Sequence, residues 1–266
     1  MSSIPFDVNR YFAELEKAPE LNQLVESSDG RAVGAASLTL LAANGLPLTK
    51  PAVICDLGCG VGRGTAPVTA AVDGGSTVLG IDILPDLVEF CERNTGNFAP
   101  NTDFRLLKGS NQHYEHAAKR RKGSSAKPQS RKKILATYRS RVDFLCAFSV
   151  LTYLDREGVA ETLTFIRRLL AEDWRALLTV FSLDSDAQRW IDNGTTAYDL
   201  AGGFWEDGMF HADADDRGAF VECNPDYFLD CLSEAKLIPL DFIYGTWRDG
   251  KRSSSSFQDA ALVGVA

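Results

Sequence analysis

The chain has 266 residues, 45% apolar and 24% charged, with a formal net charge of −8. That length suits one large domain or one domain with a cap, and the apolar fraction suffices for a full core. The sequence holds no apolar run of the roughly 18 residues a membrane span requires, which argues against one.

The N-terminal stretch MSSIPFDVNRYFAELEK has no basic segment followed by an apolar one, so no signal peptide is expected and a cytoplasmic location is the default. Helices are expected over 7–28 and 32–43, the first with Asp7 as N-cap. Pro51 opens AVICDLG (52–58), apolar on both faces as a central parallel strand is. Glycines follow, then a short helix over 65–72. TVLGID (77–82) is a second strand, and Pro85 opens a helix running to about Arg93. DFRLLKG (103–109) is a third strand.

From Ala117 to Arg141 there are ten Lys and Arg and no acid, which leaves the remainder of the chain at −18. This stretch lacks periodicity and reads as a flexible loop or lid. An acidic body with one basic loop argues against wrapping nucleic acid along a whole face. RVDFLCAFS (141–149) is a fourth strand, 157–171 an amphipathic helix and RALLTVFSL (175–183) a fifth strand. Residues 184–224, rich in Asp, Gly and aromatics, read as an inserted lid. Asn224 and Pro225 open a helix over 225–236. Two last strands, 237–247 and 256–265, are linked too closely for anything but an antiparallel hairpin.

This alternation predicts an α/β fold, doubly wound and mostly parallel, with right-handed crossovers. The expected organisation is a helical cap over 1–50 and a ligand-binding domain over 51–266. That domain carries a basic loop insertion at 112–141 and the lid insertion at 184–224.

The chemistry concentrates in DLGCGVGRG (56–64), between a buried strand and a helix. Gly58, Gly60 and Gly62 let the backbone turn tightly and lie close to a ligand. Such a ligand sits at the carboxyl ends of the strands, where open α/β sheets bind cofactors. The dinucleotide spacing G-x-G-x-x-G fails in both registers, because Arg63 and Thr65 stand where the third glycine belongs. Asp56 would repel a pyrophosphate but suits the ammonium and sulfonium of S-adenosylmethionine (SAM). Asp82, at the end of the second strand, can accept both hydroxyls of a ribose, a geometry shared by SAM and NAD. Cys59 and Ile83, beside these positions, join the expected cofactor-binding set. Ser110 and Asn111, after the third strand, are placed for the adenine edge, and Phe148, ending the fourth, for its face. Taken singly, each of these three suits an ordinary loop or core role as well.

Together these residues resemble the class I SAM-dependent methyltransferases from about Val53 onward. DLGCGVGRG is similar to their first motif and VLGIDILPDLVEFCERN (78–94) to their second. Residues 142–184 resemble a bacterial subgroup whose fourth strand ends in a Ser-Val-Phe-Thr-His-Leu run. The ending YGTWRDGKRSSSSFQDAALV (244–263) is similar to that subgroup's Gly-x-Trp and late Gln-Asp pair. The resemblance implies a seven-stranded sheet whose last two strands form the terminal hairpin. It departs at Tyr153, where the subgroup has His, at Ser110, where it has an acid, and at Glu172-Asp173-Trp174, where it has Pro-Gly-Gly.

Methyl transfer from a sulfonium is an in-line displacement in which position supplies most of the rate. A general base is needed only for an acceptor that arrives protonated with a high pKa, as an alcohol does. His113, Tyr153 and Asp184 follow the third, fourth and fifth strands and are the candidate catalytic residues, with His211 an outside candidate. No metal is expected: Asp213, Asp215 and Asp216 lack a further ligand at defined spacing. The six cysteines form no CxxC pair and read as buried reduced thiols. The leading expectation is O-methylation of a small molecule, sugar or glycolipid. Two others stand beside it: methylation of RNA or protein guided by the basic loop, and a SAM-binding regulatory module without activity.

Overall fold

The structure, a computed structural model, describes residues 6–25, 29–95, 101–109, 127–197, 200, 203–206, 209–212, 221–248, 254 and 256–266. Strand β1 (Val53–Leu57) is apolar on both faces because it lies between two neighbours: Ile54, Cys55 and Leu57 are each at most 5% exposed. β2 (Thr77–Asp82) and β4 (Val142–Ala147) flank it in parallel, pairing Asp56 with Gly80 on one side and with Cys146 on the other. β3 (Thr102–Leu106) adds to β2, also in parallel. With β5 (Leu170–Val180), β9 (Leu237–Ile243) and β10 (Asp259–Val265), the strands form a seven-stranded sheet in the order β3-β2-β1-β4-β5-β10-β9. β10 runs antiparallel to both β5 and β9, as expected for the terminal pair, although the link between β9 and β10, residues 244–258, is longer than expected from the sequence. The expected fold class therefore stands.

The chain clusters into two compact units that meet in sequence at Cys146 and Ala147. In the first, α1 (Val8–Glu16), α2 (Pro19–Leu24) and α3 (Gly30–Ala43) precede the strands, α4 (Thr65–Ala71) follows β1, and α5 (Pro85–Thr95) follows β2. Asp7 caps α1 as expected, accepting from Asn9 and Arg10 N–H. The single helix expected over 7–28 is two, because Pro19 cannot continue α1 and instead starts α2 at its first turn.

The basic stretch corrects another expectation. Residues 131–138 are not loop but helix α6 (Arg131–Tyr138), capped by Ser130. Ile134, Leu135 and Tyr138 form its buried stripe, and the Tyr138 hydroxyl donates to Asp103 of β3 at 2.5 Å. Gln129 extends the β3 edge by backbone bonds with Leu106 and Lys108. The cationic residues masked this short apolar stripe in the sequence.

In the second unit, a 3-10 turn (Leu151–Tyr153) precedes α7 (Arg156–Leu169), which Asp155 caps and which runs directly into β5. β5 thus starts five residues before the expected Arg175 and ends at Val180. The expected lid has internal order: α8 (Ser185–Asp192) and a small antiparallel sheet of β6 (Phe204–Glu206), β7 (Met209–His211) and β8 (Val221–Cys223). Phe181, Ala187, Ile191, Leu200, Phe210 and Trp247 form one buried cluster, so aromatics from this region make core there. α9 (Pro225–Glu234) opens with the predicted Asn224 cap. Among the described residues, no helix is long and apolar enough to cross a membrane.

Candidate functional site

The turn after β1 is built in the first unit by a short set of bonds. Gly58 and Cys59 N–H both donate to Ile81 O of β2, at 2.7 and 3.1 Å. Gly60 N–H donates to Asp82 Oδ2 at 2.8 Å, and Asp82 Oδ1 accepts from Leu84 N–H at 2.8 Å. Asp82 therefore splints the turn to the start of α5, and its carboxylate keeps lone-pair capacity for a further donor. Gly58, Gly60 and Gly62 all lie in the left-handed region, at φ 76°, 54° and 72°. At Gly62 the need is doubled: a Cβ there would stand 2.3 Å from the Tyr11 hydroxyl.

Asp56 is 5% exposed. Its Oδ2 accepts from the Thr65 hydroxyl at 2.5 Å, and its Oδ1 lies 3.6 Å from the Cys146 thiol. Burial raises its pKa to about 6, against the pull of the Thr65 and Cys146 bonds, and the charge of Asp82 pushes the same way as burial. Burial also raises Asp82 above the ordinary carboxylate range, opposed by the N–H bonds from Leu84, Gly60 and Ile83. Two carboxylates at adjacent strand ends, each disfavoured as an anion, make a place that gains from a cation and from hydroxyl donors. This donor set fits a nucleoside bearing an ammonium and a sulfonium, and it opposes a pyrophosphate. Cys59 is buried and Ile83 half-buried beside these groups.

The structure brings Asp56, Gly58, Cys59, Gly60, Gly62, Asp82 and Ile83 together in the first unit. Phe148, Tyr153 and Asp184 belong to the second unit. Phe148 is half-buried just after β4, and Tyr153 is half-buried in the 3-10 turn. Ser110, Asn111 and His113 lie outside the described residues.

Asp184, a candidate by its place after the fifth strand, has several partners. It caps α8, accepting from Asp186 and Ala187 N–H at 3.0 and 2.8 Å. Both its oxygens also receive Nη1 of Arg248, at 2.9 and 2.8 Å. Burial would raise its pKa, but the Ala187 bond and Arg248 outweigh that and hold it below the usual carboxylate range. A carboxylate so engaged is an anchor and a poor proton acceptor.

Arg248 itself is 1% exposed and completes a clamp with Asp259, which is 0% exposed. Its Nε and Nη2 reach Asp259 Oδ1 and Oδ2 at 3.0 Å each, and Nη2 also reaches Ser182 O at 2.9 Å. Asp259 further accepts from Gly245 and Ser182 N–H. The guanidinium stacks 4.5 Å from the Tyr244 ring centroid. The late Gln-Asp pair and the Gly-x-Trp run therefore carry a buried ion pair that joins the ends of β5, β9 and β10.

Ser149, which follows β4, sits at φ 55°. Its N–H donates to Thr179 Oγ1 at 2.7 Å and its hydroxyl to Gln258 Oε1 at 3.1 Å. Those two bonds hold a backbone conformation that a non-glycine residue adopts at a cost of about 1–2 kcal/mol. Its signal in the sequence is the Ser that opens the Ser-Val-Leu-Thr-Tyr-Leu run, paired with the late Gln.

Known proteins share this architecture. A family described as "Methyltransferase domain" matches residues 31–212. No curated protein matches the sequence. An S-adenosylmethionine-dependent methyltransferase structure from Clostridium acetobutylicum ATCC 824 aligns with a TM-score of 0.54 at 13% identity, covering 96% of this chain and 99% of that one. The Burkholderia thailandensis 1,6-didemethyltoxoflavin-N1-methyltransferase, solved with bound 1,6-didemethyltoxoflavin and S-adenosylhomocysteine, aligns at 0.53 and 17% identity over 100% of this chain and 93% of that one. Geranyl diphosphate C-methyltransferase from Streptomyces coelicolor A3(2), solved with Mg2+, geranyl diphosphate and S-adenosyl-L-homocysteine, aligns at 0.53 and 12% identity over 87% and 79%. At these identities the likeness is one of fold.

Proposed function

This chain belongs to the methyltransferase domain family, and on that premise we propose that it moves the methyl group of SAM to an oxygen of a small-molecule acceptor. The observation that carries this reading is the pair of carboxylates, buried Asp56 and half-buried Asp82, at the ends of β1 and β2 around the glycine turn.

Asp56 would face the cationic end of SAM, directly or through water, and a cation there would offset the burial that raises its pKa. Asp82 would accept the ribose hydroxyls with the lone pairs its backbone bonds leave over. SAM, when bound, supplies a methyl group on a positive sulfur, so the protein's task is to hold the acceptor atom in line and keep water out. The small-molecule reading draws on the 1,6-didemethyltoxoflavin and geranyl diphosphate that two enzymes of this fold bind. That is analogy of fold. The oxygen reading draws on the lack of any Asn/Asp-Pro-Pro-Tyr run, the motif of amino-group methylation on bases. With Asp184 held in its clamp, His113 and Tyr153 remain the candidates to take an alcohol's proton.

Isothermal titration tests the cofactor. The chain is expected to bind SAM and S-adenosylhomocysteine and to bind NAD far more weakly, and Asp82→Asn is expected to weaken both adenosyl ligands by about 10- to 100-fold, the worth of a charge-assisted bond pair. Firm NAD binding without uptake of SAM ends the proposal. Transfer of labelled methyl from SAM to hydroxylated acceptors, but not to their amine analogues, tests the acceptor atom.

One observation favours a second reading. α6 exposes Lys132 and Lys133, with Arg139 and Arg141 exposed just beyond it. A polymeric anion, RNA above all, would be drawn to that face. Steep loss of acceptor binding with salt would mark this case.

A further inference from the structure

The N-terminal helices meet the glycine turn through contacts that the sequence motifs do not explain. Tyr11 of α1 is 2% exposed, and its ring lies edge-on to Phe90 of α5 with centroids 5.6 Å apart. Its hydroxyl donates to Val61 O at 2.8 Å. Val61 is fully buried. The next peptide N–H, that of Gly62, donates to Cys59 O at 2.8 Å, and Gly62 O accepts from Ala66 N–H of α4 at 2.9 Å. The peptide in the middle of the turn is thus fixed from both sides, with Tyr11 supplying the outer contact.

Further contacts interlock the same pieces. Arg63 Nη2 donates to Val25 O at 3.0 Å. A Cβ on Gly60 would lie 3.1 Å from Val25 Cγ1, and one on Gly34 of α3 would lie 2.5 Å from Arg63 O. Glycines on both partners therefore serve the contact between them: Gly62 admits Tyr11, and Gly34 admits the backbone of the turn.

We infer that Tyr11 is a positioning residue for the cofactor turn, and that docking of α1 and occupation of the turn by an adenosyl ligand are coupled. This rests on the proposal that the turn binds SAM. Tyr11 touches no reacting atom. It acts through the Val61 carbonyl, by keeping the Val61–Gly62 peptide in the orientation that the left-handed Gly60 and Gly62 require. Losing the hydroxyl leaves a buried carbonyl without its donor, which favours re-orientation of that peptide. Coupling is reciprocal: a ligand that needs the ordered turn must also favour docked α1.

The test uses the full chain and S-adenosylhomocysteine. Titration of wild type and Tyr11→Phe reads affinity. Amide hydrogen exchange with and without the ligand reads protection in α1. Tyr11→Phe keeps the ring and its packing, and is expected to bind about tenfold more weakly. In wild type the ligand is expected to slow exchange over Val8–Glu16, and in Tyr11→Phe that protection is lost. A purely structural tyrosine would lower stability without removing this ligand-induced protection. Equal affinity of the two proteins overturns the inference while leaving the SAM reading intact. So does a wild type that binds the ligand with no change in α1 exchange. If wild type takes up no S-adenosylhomocysteine, the SAM reading falls first and this inference with it. Should Tyr11→Phe fail to fold, the wild-type exchange measurement alone decides: protection of α1 supports the coupling and its absence overturns it.

Discussion

At Asp56 the charge that a cationic ligand needs is one that folding opposes. Its carboxyl is raised to about 6, by burial first and by Asp82 in addition, despite the Thr65 and Cys146 bonds. In the unfolded chain it titrates near 3.9. Between those values the folded chain holds a proton that the unfolded chain has released, so stability falls as pH rises through that window and stays lower above it. A shift of this size corresponds to about 3 kcal/mol of destabilisation near neutrality. Asp56→Asn keeps an acceptor for Thr65 and removes the charge. The variant is therefore expected to gain about 1–3 kcal/mol at pH 8 in urea unfolding while binding SAM about tenfold more weakly. In wild type, SAM affinity is expected to fall as pH drops below about 6. An affinity flat from pH 8 to pH 5 would mean that Asp56 does not face the ligand's cation.

Among the elements, the junction of β5, β9 and β10 depends on Arg248. Removing it leaves Asp259 buried and without its cation, at a cost of about 3–5 kcal/mol, and deprives Asp184, the cap of α8, of its ion pair. Arg248→Ala is expected to lose that amount in urea unfolding. Arg248→Lys is expected to recover only part of it, since an ammonium cannot make two parallel bonds to Asp259 and a third to Ser182 O. A loss within 1 kcal/mol for Arg248→Ala would refute the clamp.

Elements of this kind were also the hardest to read in advance. Strands β1, β2 and β4 announced themselves as short apolar runs bounded by Gly, Pro and Asp, and the caps at Asp7 and Asn224 by residue type alone. α6 did not, because three buried side chains were interleaved with Lys132, Lys133 and Arg139. The start of β5 was missed because Glu172, Asp173 and Trp174 look like a turn yet continue the strand from α7. At the site, local signals carried the glycine turn and its two carboxylates. Tyr11, 50 residues from its partner Val61, and Arg248, 64 from Asp184, are long-range pairs that no local pattern marks. The pairing of Asp184 is hidden for the same reason, since its arginine lies four strands later in the chain.

Taken as a whole molecule, the chain presents the cofactor with an acidic body. Its net charge is −8 even with ten cations gathered between Ala117 and Arg141. SAM carries one net positive charge and S-adenosylhomocysteine none, because transfer removes the sulfonium. The field of the body therefore favours substrate over product, and the same charge loss that completes the reaction weakens the hold on what is left. Salt screens this long-range part within about 10 Å at 0.1 M, whereas the close contact of a buried carboxylate with the ligand is screened much less. The preference for SAM over S-adenosylhomocysteine should thus split into a salt-sensitive share from the body and a salt-resistant share from Asp56. Raising NaCl from about 50 to about 500 mM is expected to lower the SAM to S-adenosylhomocysteine affinity ratio by roughly two- to threefold. Asp56→Asn should lower the ratio at both salts and keep that fractional change. Titration of both ligands at both salts measures all four values. A ratio that ignores salt would confine the discrimination to the pocket, and a ratio that rises would show that the field at the site is not that of the acidic body.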